Sequence, residues 1–248
     1  MSFSLPRFLR RTPPESLGRY FAGRQITLPG PVDWAGPHAD LLGTLQQAIE
    51  SLDETTRERV ILDLERANKL CDEVGQLALW NVVARRPALQ GRLQSEASDE
   101  GRALVVLVED ELAFDQALAF SYGDHRRNGR SWSRYGVAEE LTANNNPAPI
   151  QALKTDITRL LRDFNGTGRK LVVDHFERPG QPADSRLPGP FIHYAIYAEG
   201  LPESGLEFET DEPKRRTRRP AREAAIYYSA GQRLLEVVAE GGRLTRLR

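Results

Sequence analysis

Between residues 38 and 83 the apolar side chains recur every three or four positions, and beyond residue 168 they recur every second position. The first period is that of a helix with one buried face, the second that of a strand. Leu41, Leu42, Leu45, Ile49 and Leu52 form one helical stripe. Asp53 and Thr55 supply the chemistry of a helix start. A second stripe follows, with Val60, Ile61, Leu64, Ala67, Leu70, Val74, Leu77 and Trp80 on one face. Pro87 and Gly91 interrupt the pattern, and Ser98 or Asp99 opens a third, strongly apolar helix, "DEGRALVVLVEDELAFDQALAFSY". Three to five packed helices are expected to form a bundle over residues 38–143. Ahead of it, residues 1–37 read as a proline-rich arm with one short helix after Pro14 and an extended segment pinned by Trp34.

The segment "LTANNNPAPI" has linker composition. A further helix follows it, with Ile150, Leu153, Ile157, Leu160, Leu161 and Phe164 on one face and Asn165-Gly166 suited to a left-handed cap. From there "RKLVVDHFER", "PFIHYAIYAEG" and "GLEFET" read as strands, and "REAAIYYSAGQRLLEVVAEGG" reads as a hairpin turning at Ala230-Gly231. The expected fold is therefore α+β, an N-terminal helical bundle followed by a smaller unit, residues 149–248. That unit is built on four or five antiparallel strands covered by one helix. "RLTRLR" after Gly241-Gly242 looks like the first turn of another helix, so a longer chain is expected.

Composition narrows the function classes. Thirty-four basic against 35 acidic residues leave a net charge of −1, so any polyanion binding must come from a local patch. The one cysteine, Cys71, rules out an internal disulfide and a cysteine-rich metal site. The N-terminus carries Arg7, Arg10 and Arg11 without the apolar run of a secretory signal. A reducing bacterial cytoplasm is the expected setting. The basic residues are almost all arginine, which matches the codon bias of a GC-rich genome and also suits bidentate contact with phosphate or carboxylate.

Two stretches concentrate that arginine. "SYGDHRRNGRSWSRYGV" reads as a surface loop leaving the third helix. Arg126, Arg127, Arg130 and Arg134 are placed there to meet phosphates, with Trp132 and Tyr135 to stack on bases. The same arginines also suit pairing with Asp110, Glu111 and Asp115 in the helix before them. "PKRRTRRPAR" carries Lys214, Arg215, Arg216, Arg218, Arg219 and Arg222. Paired antiparallel with the acidic "LEFETDE", it would set opposite charges across a ladder; unpaired, it would offer them to a partner. A third candidate is a metal site. If Arg178 pairs with Pro190, His175, next to Asp174, falls opposite His193, and two imidazoles on one sheet face with Glu177 are of the kind that hold a divalent ion. No cofactor signature is present, since "FNGTGRK" follows a helix and lacks the phosphate-loop spacing. The expectation is a non-enzymatic binding or regulatory protein that contacts a nucleic-acid backbone or an acidic protein partner through its arginines. The alternative is a metal-dependent hydrolase or nuclease using Asp174, His175 and His193.

Overall fold

The computed structural model describes residues 3–127, 129–138, 142–180, 189–209 and 212–239. The chain divides into two compact units, residues 1–125 and residues 126–248. The described residues carry nine helices and antiparallel sheets, the α+β class that the two periods predict.

The first unit is helical: α1 (Leu5–Arg11), α2 (Pro14–Gly23), α3 (His38–Glu50), α4 (Glu54–Asn68), α5 (Glu73–Val83), α6 (Pro87–Ser95) and α7 (Asp99–Glu109), with α8 (Glu111–Arg126) running to the unit boundary. Short polar side chains set the starts. Asp53, Asp72 and Ser98 accept from the backbone N–H groups of Thr56, Gly75 and Gly101. These bonds satisfy donors that a helix leaves orphaned in its first turn. Residues 99–122, expected as one helix, form two. Asp110 adopts an extended backbone (φ −151°, ψ 86°) and accepts from the Ala113 N–H, starting α8 afresh. α7 is the central element: Ala103, Leu104, Val106 and Leu107 are all buried, and it packs against α2, α4, α5 and α6.

Helices α1 and α2, within the expected proline-rich arm, are part of this unit's core. Phe8, Leu9, Leu17, Tyr20 and Phe21 are buried, so α1 and α2 contribute aromatic volume that α3 and α4 alone lack. Two buried glutamates fix them in place. Glu100 pairs with Arg11 at 2.8 Å, and Glu96 accepts from Ser16 Oγ at 2.8 Å and pairs with Arg19. A second polar knot ties α2 to α4. Arg24 meets the buried Asp63 with two guanidinium nitrogens at 3.0 and 3.2 Å, and the Tyr20 hydroxyl donates to the same carboxylate at 3.2 Å. Arg24 also reaches Glu111, and Arg66 pairs with Asp115 while stacking over Phe114. The Arg24 hydrogen bond holds Glu111 below the usual carboxylate range.

The second unit is a five-stranded antiparallel sheet in the order β1-β7-β6-β3-β2, formed by β1 (Trp132–Gly136), β2 (Leu171–Arg178), β3 (Phe191–Glu199), β6 (Ala221–Ser229) and β7 (Leu234–Ala239). The remaining strands, β4 (Glu203–Glu209) and β5 (Glu212–Arg218), form a separate two-stranded ribbon between β3 and β6. Helix α9 (Pro147–Asn165) lays Ile150, Leu153 and Ile157 on one sheet face, against Val173, Tyr194, Ile196 and Tyr228. It ends at Gly166 in the left-handed conformation (φ 70°), as Asn165-Gly166 predicts. The "RLTRLR" segment lies outside the described residues. No helix among the described residues is long and apolar enough to cross a membrane.

The helical unit generates three stability predictions. Asp63→Ala leaves Arg24 half-buried without its fork partner and is expected to cost about 3–5 kcal/mol in urea unfolding of the full chain. An exposed change such as Leu112→Ser is expected to stay within about 0.5 kcal/mol. Burial raises the Glu100 carboxyl above its ordinary 4.5, outweighing the Arg11 charge. The folded protein therefore holds that proton more readily than the unfolded chain. This contribution is complete below 4.5 and is lost as pH rises through the raised value. Wild type is expected to lose stability relative to Glu100→Gln as pH increases through that window. A constant difference between the two midpoints across pH counts against it.

Candidate functional site

The stretch 121–137 is helix and strand more than loop. α8 continues through Arg126, a short turn follows, and β1 pairs with β7 along the edge of the sheet. Strand alternation sends Trp132 and Arg134 to one face and Tyr135 to the other. Trp132 and Tyr135 thus do not share a stacking platform. Trp132 packs, partly buried, against Phe191, Ala225, Tyr227 and Val238.

Arg127 also leaves the surface. Its side chain is 7% exposed, and its Nε donates to Glu236 Oε2 at 2.8 Å, where Glu236 is itself 1% exposed. The guanidinium lies over the Tyr227 ring at 5.2 Å. Arg134 stands 3.8 Å from the other oxygen of Glu236 and remains partly exposed. Arg126 is half-buried and Arg130 is exposed. The four arginines of this stretch are therefore split between a structural pair and the surface, and they do not form one basic patch.

The same sheet face continues from Glu236 through Tyr227 and His193, which stand opposite one another along the ladders. His193 is fully buried and stacks on Tyr227 with ring centroids 4.6 Å apart. Arg178, also buried, lies over the Phe191 ring at 5.0 Å. Sequence reasoning missed this polar row. Its one visible signal is Glu236, a lone carboxylate inside the apolar strand "LLEVVA"; nothing distinguishes Arg127 from Arg126 beforehand.

The register separates the two histidines. Arg178 pairs with Phe191, one residue from the expected Pro190, so Phe176 faces His193 and His175 faces Tyr194. A one-residue slip moves a side chain to the opposite face. His175 therefore points to the face covered by α9, while Asp174 and His193 lie on the other. In this register Arg178 lies over the Phe191 ring and the Phe176 ring meets that of His193. No group of three metal-ligating side chains occurs among the described residues.

Two other constellations in the helical unit resemble catalytic groupings and are structural. His125 Nε2 lies 2.6 Å from Asp72 Oδ2, and its Nδ1 lies 3.1 Å from Ser121 Oγ. Nδ1 also lies 2.7 Å from the Ser121 carbonyl one helical turn back, and Ser121 is buried, so the hydroxyl is not an open nucleophile. Asp72 meanwhile caps α5. Burial and then the nearby Glu100 charge push the Cys71 thiol far above its usual range, away from the reactive thiolate.

The second basic run becomes β5, and here the arginines stay outside. Every residue of β5 is exposed. Glu203 stands opposite Arg218, Gly205 opposite Arg216, Glu207 opposite Lys214, and Glu209 opposite Glu212, all on one face of the ribbon. Diagonal ion pairs knit this face: Lys214 to Glu209 at 2.8 Å, Arg216 to Glu209 at 2.6 Å, and Arg218 to Glu207. At the base Arg222 pairs with Glu203, and Arg219 lies 3.9 Å from Glu199. The opposite face carries Ser204, Leu206 and Phe208 on β4 with Thr217, Arg215 and Pro213 across from them. Leu206 is 63% exposed and Phe208 is 78% exposed. Among the described residues Arg215 makes no ion pair.

The ribbon continues the β3–β6 ladder with one irregularity. Between Glu199–Ala221 and Glu203–Arg218, residues 200–202 on one strand face only 219–220 on the other. That is a bulge by one residue. The Gly200 N–H donates to the Pro220 carbonyl at 2.8 Å, and a Cβ on Gly200 would sit 2.9 Å from that oxygen. Only glycine fits the approach.

Removing one partner of the buried Arg127–Glu236 pair strands the other in the core. Glu236→Ala is expected to destabilise the protein by about 3–5 kcal/mol. Arg130→Ala, a few residues away on the surface, is expected to change the urea midpoint by less than about 0.5 kcal/mol. Equal effects from the two would show that Arg127 is solvated. No protein-family model matches the chain, and neither a curated protein nor a solved structure matches it significantly.

Proposed function

We propose that this is a non-enzymatic docking protein that engages a protein partner through the β4–β5 ribbon. The observation that carries the reading is the sorting of the ribbon's side chains. One face is a self-matched charge ladder, and the other displays Leu206, Phe208 and an unmatched arginine to solvent. A two-stranded ribbon exposed on both faces is marginal on its own. Aromatic side chains and arginine, here Phe208 and Arg215, are among the residues enriched at the centres of protein interfaces.

The same sorting argues against a nucleic-acid backbone as the ligand. Phosphate binding draws on cations free to replace counterions. Here Lys214, Arg216 and Arg218 already have carboxylates. The metal-dependent reading loses its geometry with the separation of His175 from His193. The single cysteine and the arginine-for-lysine usage support a bacterial cytoplasm as the setting.

The test replaces residues 203–218 by an Asn-Gly turn, a sequence suited to a two-residue hairpin. The shortened chain is expected to keep its circular dichroism and to shift in Tm by less than about 4 °C. Labelled single- and double-stranded DNA and RNA, titrated at about 50 and 200 mM salt, are expected not to bind either protein. Collapse of the shortened chain would make the ribbon a structural element. Salt-sensitive binding that disappears with the ribbon would make the ligand a nucleic acid. Either result rejects the proposal.

A further inference from the structure

We infer that the partner of the ribbon's outer face is an acidic protein segment that presents apolar residues and a carboxylate together on one face of an extended chain. This rests on the docking role proposed above and adds the chemistry of what docks. Leu206 and Phe208 are two residues apart on β4, so their side chains project from one face about 6.6–6.8 Å apart. An extended chain repeats same-face side chains at the same spacing. A partner strand laid on this face therefore meets Leu206 and Phe208 with successive apolar residues.

Charge selects among such strands. Arg215 stands directly opposite Leu206, between two apolar positions, and makes no ion pair among the described residues. The carboxylates of β4 lie at Glu203, Glu207 and Glu209, on the other face, where the remaining basic side chains of β5 engage them. Once a partner covers Phe208 and Leu206, the Arg215 guanidinium loses water and needs an anion from the partner. A basic segment would bury like charges together. A neutral one would leave Arg215 unmatched.

Pro213 adds a constraint. It lies across from Phe208 and has no N–H, so it blunts β5 as a template for an added strand near the tip. Specificity then comes from two contacts, one apolar and one ionic, that a single partner segment must satisfy together.

Synthetic peptides test this with the full-length protein. Three short peptides are compared by fluorescence anisotropy, each with serine at every second position and, on the face between, two valines then a glutamate (valine–glutamate), two valines then a lysine (valine–lysine), or two serines then a glutamate (serine–glutamate). The valine–glutamate peptide is expected to bind at least about tenfold more tightly than the other two. Phe208→Ser is expected to abolish the preference for valine. Arg215→Glu is expected to reverse the charge preference, so that the valine–lysine peptide now binds better. Circular dichroism and Tm establish that both variants fold, and both positions are exposed enough to tolerate change. Binding of the valine–lysine peptide to wild type through Phe208 would overturn the acidic assignment and leave protein docking standing. Equal binding of the serine–glutamate peptide would reduce the site to charge alone and overturn the inference. So would the absence of any peptide binding up to about 1 mM, which leaves no affinity beyond about 4 kcal/mol to assign to the face. Failure of the docking reading itself shows differently, as ribbon-dependent binding of DNA or RNA.

Discussion

Strand parity governs the second half of this protein. Each side chain on a strand belongs to one of two faces, and a shift of one residue exchanges them all. In the five-stranded sheet this sets Phe176, His193, Tyr227, Glu236 and Arg134 in a row across one face. The apolar members of the opposite face meet α9. In the observed register Phe191, Tyr227 and Val238 are buried together. The Arg127–Glu236 pair then becomes obligatory, because Glu236 on that face is buried and carries a charge that must be met.

The ribbon shows the same rule with a sign change built in. Had the β3–β6 register continued without its bulge, Glu207 would face Pro213, and Leu206 would face Lys214. Each face would then mix apolar and charged side chains, with no continuous ladder on either. The extra residue at 200–202 shifts β4 by one position relative to β5. It thereby collects Glu203, Glu207 and Glu209 on the face of Lys214, Arg216 and Arg218. Leu206, Phe208 and Arg215 are left on the other. One irregularity, held by the close approach of Gly200 to Pro220, thus makes the ribbon two-faced.

How much of this was legible in the sequence depends on the range of the interaction concerned. The helix of residues 150–164, the paired charges of the acidic and basic strands, and the turn at Ala230-Gly231 are local patterns, and each has its counterpart in the structure. The break at Asp110 was less visible, since a run of apolar residues on both sides masks a capping aspartate in the middle. The strand at Trp132–Gly136 was hidden because its glycines and arginines have turn composition, and its partner β7 lies a hundred residues away. The metal reading turned on a register that sequence does not carry. That register rests on contacts across the strands, among them Arg178 over Phe191, and it does not set the two histidines opposite each other.

Arginine in this chain therefore has three physical roles that composition merges. Arg24 and Arg127 are internal: each meets a buried carboxylate, and in both cases an aromatic side chain stands beside the pair, Tyr20 in one and Tyr227 in the other. The planar, always-charged guanidinium suits that setting better than an ammonium, because it can bond carboxylate and stack at once. Arg216 and Arg218 are solvated and matched, and they keep an exposed ribbon from pairing indiscriminately with other chains. Arg215 belongs to neither group. It has the same residue type as Arg216, its neighbour in sequence, yet it stands beside Leu206 and makes no ion pair among the described residues. A density of basic residues is therefore a poor guide to binding in this protein. What sets Arg215 apart is that its charge stands beside exposed Leu206 and Phe208 on one face while the other basic side chains of the ribbon pair on the opposite face.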